Sequence, residues 1–160
     1  MDKALKFTQT FYPNVLPNNP HVNFRLKCRK FIEMVRSAAQ LRTVLESTRT
    51  NGHGGDANSQ KMDVDQSGND SSAWDVNMDA ETPETSPELA ESERAMLEYG
   101  QSLQAEYLMD NRKEVNKALA EIWVLVAYKN PLKEPRISHM LDRKGRVAVA
   151  EELNSAILRE

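Results

Sequence analysis

Apolar residues recur at three- and four-residue spacings through both ends of the chain and vanish in the middle. In ALKFTQTFY, Leu5 or Ala4 lines up with Phe7 and Phe11 along one side of a short helix. The following PNVLPNNP breaks that helix, because each proline lacks an amide donor. Asn19 before Pro20 predicts a new start, a side-chain cap followed by proline at the first helical position. The helix should run to about Leu45. Phe24, Cys28, Phe31, Ile32, Val35, Ala38, Ala39 and Val44 would form one apolar face. Ser86-Pro87-Glu88 repeats the start signal, with Leu89, Met96, Leu97, Leu103, Tyr107 and Leu108 in phase to about Met109. Gly100 inside this helix permits a bend or the close approach of a neighbouring backbone. Asp110 or Asn111 opens a further helix with Val115, Ala118, Leu119, Ile122, Trp123, Leu125 and Val126. The most apolar run in the chain, IWVLVAYKNP, therefore reads as the last turns of a helix, with Asn130-Pro131 as its stop. NPLKEPRISHML leads to Asp142, the cap of a final helix carrying Val147, Leu153, Ala156 and Ile157. The pattern is all-α, a set of antiparallel helical hairpins with no strand.

Between the helical parts, from about Thr48 to Thr85, the text changes to Gly, Asn, Asp and Ser. TRTNGHGGDANSQKMDVDQSGNDSS cannot bury enough surface to offset the entropy of ordering, so disorder is expected. The segment is acidic, whereas the helix before it carries Arg25, Lys27, Arg29, Lys30, Arg36 and Arg42. A loop this long is abnormal inside a compact domain. It reads as an insertion between two elements that pack together, since closure entropy grows slowly with length. The expected division is helices over 1–47, an acidic linker over 48–85 and helices over 86–160. Trp74, with Val76 and Met78, reads equally as a short docking motif or as a stray aromatic in the linker.

Composition narrows the function. An apolar fraction of 39% with only 6% aromatics is thin for one core of 160 residues, and the linker accounts for the shortage. The net charge of −3 argues against a general nucleic-acid binder. One cysteine, Cys28, allows no internal disulfide. MDKALKFTQTFYP has no continuous apolar core of a signal peptide, and no run approaches the ~20 residues of a membrane span. A soluble intracellular protein is expected, in the cytoplasm and also in the nucleus. His21, His53 and His139 have no metal-ligand spacing, and NGHGGD precedes no helix, so it is no phosphate loop. MDVDQSGND echoes a calcium loop but lacks the bidentate glutamate. Cys28 lies on an apolar helix face, as an inert thiol would. The basic run RLKCRK (25–30) lacks stacking aromatics and reads as a solvated helix face, not a nucleic-acid site. No enzyme, metal, cofactor, nucleic-acid or membrane function is indicated. What remains is apolar helix surface, and the residues alone point to a helical interaction module.

Two segments carry a resemblance. NVLPNNPHVNFRLKCRKFIEMVR is similar to the CTLH region of RanBPM-like proteins through Phe24, Leu26, Cys28, Phe31, Ile32, Glu33, Val35 and Arg36. MLEYGQSLQAEY, ALAEIWVLVAYKNP and LNSAIL resemble the CRA domain of the same proteins. The resemblance implies a non-catalytic scaffold subunit of a GID/CTLH-type E3 ubiquitin ligase, acting in protein degradation. Its implied partners are sister LisH-CTLH-CRA subunits, in homo- or hetero-oligomers. Phe24, Phe31, Ile32, Val35, Leu119, Ile122, Trp123 and Tyr128 are then candidates for core or partner interface. The SPRY and LisH regions of that family are not found here, CRA is expected to be C-terminally incomplete, and Arg143-Lys144 depart from the usual residues after the leucine-aspartate. The competing reading is a free-standing regulatory adaptor acting through the acidic linker, with Thr82 and Ser86, each before a proline, as candidate phosphorylation sites.

Overall fold

The computed structural model of the protein describes residues 1–51 and 86–159. Residues 52–85, most of the linker expected over 48–85, with His53, MDVDQSGND, Trp74 and Thr82 and all but the first residue of NGHGGD, lie outside the described residues, whereas 48–51 are the end of a helix. The rest is all-α, with no strand among the described residues. Six helices follow in order: α1 (Asp2–Phe11), α2 (Val15–Asn18), α3 (Pro20–Asn51), α4 (Pro87–Glu106), α5 (Lys113–Val124) and α6 (Gly145–Ile157). Two 3₁₀ turns, Leu125–Ala127 and Ser138–Leu141, complete the set.

Local chemistry sets most of the boundaries. Ser86 caps α4, its Oγ accepting from the Leu89 amide at 3.3 Å with Pro87 at the first helical position. Asn19 does not cap α3 as its position suggests. Its side-chain amide donates back to the Val15 carbonyl at 2.9 Å, closing α2 instead. PNVLPNNP thus breaks the chain between α1 and α3, yet winds one helical turn of its own. α3 runs on to Asn51, past the expected end near Leu45. α5 starts at Lys113, and Asp110 secures the approach by accepting from the Arg112 amide at 3.0 Å. IWVLVAYKNP does end a helix, with its last turn tightened to 3₁₀ and Tyr128 extended.

α3 is the spine, touching α2, α4, α5, α6 and both 3₁₀ turns. Ion pairs fix two antiparallel neighbours. Lys27–Glu106 and Arg42–Glu93 tie α4 along it, and Arg25–Glu152 and Glu33–Arg146 tie α6. The expected single apolar face of α3 is instead two. Phe24, Cys28, Phe31, Val35 and Ala38, at alternating spacings of four and three, enter a core with Met96, Leu103, Tyr107, Val115, Leu119, Ile122, Leu125, Ile137 and Leu141. Val22 and Leu26 line a second stripe that buries Val149, Leu153 and Ala156 of α6 together with Val15 and Leu16 of α2. Val44, assigned to the apolar face, is exposed, because the neighbouring helices do not cover that side of α3. In α6 the inward residue is Val149, while Val147 faces solvent.

Candidate interaction surfaces

The eight apolar candidates divide by depth. Phe24, Phe31, Val35, Leu119 and Ile122 are buried in the main core, and Ile32, Trp123 and Tyr128 are partly buried against it. Phe31 is fully enclosed, its ring 5.4 Å from that of Trp123. Phe24 meets Tyr107 edge to face at 4.8 Å. Gly100 is what lets α4 sit this close, since a Cβ there would lie 2.6 Å from a Phe31 ring carbon and 3.1 Å from Trp123. Trp123 also borders an open cleft with Gln104, Tyr107, Leu108, Asn116 and Ala120. Tyr128 and Val35 line a second cleft, of about 160 Å³, between α3, α4 and the Lys129–Pro131 turn. That turn is tied to α3 by Arg42, which donates to the Lys129 carbonyl, and by Asn130, whose amide donates to Thr43 Oγ1 at 3.2 Å.

The RLKCRK run is not a solvated face. Leu26, Cys28 and Arg29 are buried, and the cations are taken up by Glu152, Glu106, Glu33 and Asp2 on four different elements. Arg29, only 4% exposed, bonds Glu33 through Nε at 2.9 Å and the carbonyls of Met140 and Asp142 at 3.3 and 2.6 Å. Glu33 in turn accepts from Arg146 and has Arg36 at 3.8 Å. The bonds from Arg146, and next those from Arg29, hold the Glu33 carboxyl down at about 2 in spite of its burial. Burial pushes the Cys28 thiol up to about 12, so the thiolate nucleophile is suppressed.

The sequence pattern put Phe7 and Phe11 on the apolar side of α1; the structure turns them outward. The inward side is Met1, Leu5 and Thr8, of which Thr8 is 1% exposed. Phe7 and Phe11 are 55% and 63% exposed, with ring centroids 4.5 Å apart and Tyr12 continuing the row at 6.5 Å from Phe7. The signal was present in the sequence, since 1, 5 and 8 also follow helical spacing, but the aromatic stripe is the more conspicuous one. A contiguous row of three exposed aromatics is a surface suited to association. Leu108 and Met109, beyond the end of α4, are also exposed. Among the described residues no three His, Cys, Asp or Glu side chains are grouped to hold a metal ion, and no helix is long and apolar enough to cross a membrane.

A helical hairpin array with filled cores, clefts lined by apolar side chains and an outward aromatic row is a protein-interaction module. The chain belongs to the family described as CTLH/CRA C-terminal to LisH motif domain, whose model matches residues 1–160. This is a protein-interaction family rather than a catalytic one. The chain is also similar to Ran-binding protein 10 of Danio rerio, at 52% identity over 33 residues, which is 21% of this chain and 6% of that protein. The matched stretch thus spans a small part of that relative's length. No solved structure matches the chain.

Proposed function

We propose that the protein is a scaffold subunit of a GID/CTLH-type ubiquitin ligase and pairs through the outer face of α1 with a sister LisH-CTLH-CRA subunit. The observation that carries the reading is the exposed row Phe7, Phe11 and Tyr12 on a chain whose other aromatic side chains in α3–α5 serve its own core. Membership of a protein-interaction family over the whole chain supports it, and so does the resemblance to RanBPM-like proteins. Ubiquitin transfer falls to other subunits in this reading, and the chain contributes position, not chemistry. The test is affinity purification of the intact chain from its source cells. Recovery of LisH-CTLH-CRA subunits is expected, unchanged when residues 50–84 are deleted. Loss of all partners on that deletion would transfer the function to the acidic segment.

A further inference from the structure

Residues 143–146, Arg-Lys-Gly-Arg, place three cations within four positions at the start of α6. The loop is anchored from beneath. Arg29 grips the carbonyls of Met140 and Asp142, the Asp142 carboxylate accepts from the Lys144 amide at 3.0 Å, and Arg146 is bonded to Glu33. Gly145 lies so close to the Arg29 guanidinium that any Cβ would collide with it. The anchoring uses Arg29 and Arg146, and it leaves Arg143 and Lys144 exposed and without a carboxylate partner among the described residues. Arg36 joins the same cluster at 3.8 Å from Glu33, so three guanidinium groups, those of Arg29, Arg36 and Arg146, surround one carboxylate. The local balance is cationic on a chain whose net charge is −3.

We propose that this preorganised basic loop is a docking surface for an acidic, Asp/Glu-rich segment of a partner protein. Charge complementarity selects the sign of the occupant, and the fixed backbone lowers the ordering cost of binding. The size of the patch selects the class. Two exposed cations beside an internally neutralised Glu33 suit a few discrete carboxylates, whereas tight nucleic-acid binding needs many phosphate contacts or stacking aromatics. The exposed aromatics Phe7, Phe11 and Tyr12 lie on α1 and the turn after it, not in this loop.

The test is fluorescence anisotropy with a labelled peptide of alternating glutamate and glycine, titrated with the intact chain at low salt. The wild-type chain is expected to bind with an affinity that falls as salt rises. Arg143→Glu with Lys144→Glu should weaken it at least about fivefold. Lys113→Glu with Lys117→Glu, the same charge change on α5, should leave it within about twofold. Because Arg143 and Lys144 are solvent-facing, unchanged far-ultraviolet circular dichroism is expected for both variants. Equal losses in the two variants would overturn the proposal, as would tighter binding of an oligonucleotide or of anionic lipid vesicles than of the peptide. A rise in peptide affinity on deleting residues 52–85 would also overturn it, by showing that the chain's own acidic stretch occupies the loop.

Discussion

Single side chains decide how closely the helices approach. Gly100 lies against the rings of Phe31 and Trp123 where α4 packs on α3. Gly100→Ala gains up to about 1 kcal/mol of helix propensity but forces a buried aromatic ring to move, at about 1–3 kcal/mol. A net loss of about 1 kcal/mol is expected in urea denaturation. Trimming the ring in the double variant Gly100→Ala/Phe31→Leu should make the two effects less than additive. Arg29 offers a second test, because its fork holds Glu33 and two carbonyls at once. Arg29→Met should cost about 2–4 kcal/mol, by stranding buried acceptors, and Arg29→Lys should recover little of it because an ammonium cannot span the three. Gly100 inside a helix already allowed a close approach, though by a backbone rather than by two aromatic rings, and the role of Arg29 was not legible beforehand. Arg29 sits in a charged run that looks solvated, and only the arrival of the 138–146 loop over α3 makes it a buried anchor.

At the scale of elements, local start signals held only in part, since Asn19 closes α2 rather than capping α3 and Lys144, not Asp142, is the N-cap of α6. Ser86-Pro87 caps α4 as its residues imply, and the Asn130-Pro131 stop ends the α5 run. What local text left open was which side of a helix a neighbour would cover. Val44 and Val147 are apolar and in phase yet exposed, while Leu26 is buried because α2 and α6 cover a second side of α3. The α3–α6 contact has a pH signature. Glu33 titrates at about 2 rather than its ordinary 4.5, so its contribution is complete above about pH 4.5 and is lost as pH falls toward 2. Thermal unfolding should therefore show a stability loss across that window, smaller in Glu33→Gln. An equal loss in that variant would remove Glu33 as the cause. The α1 face makes the opposite prediction. Phe7→Ser with Phe11→Ser should leave the melting temperature of the isolated chain unchanged or raised, since these rings cover no core.

The whole molecule is a spine, α3, with two separate apolar fillings on two sides and an aromatic row left over on α1. The internal fillings account for the resemblance-bearing residues of α3 and α5, whose family pattern is largely a packing pattern. Family membership over all 160 residues explains why a chain with no grouped metal ligands among its described residues should still expose aromatic surface. The claim that joins these points is that the α1 face pairs with a sister subunit. Isothermal titration of a purified LisH-CTLH-CRA protein into the intact chain and into its Phe7→Ser/Phe11→Ser variant tests it most directly. The account predicts saturable binding to the wild-type chain, weakened at least about tenfold in the variant, a change of ~1.4 kcal/mol. Equal affinity for both chains, or no binding to the wild type, would contradict it.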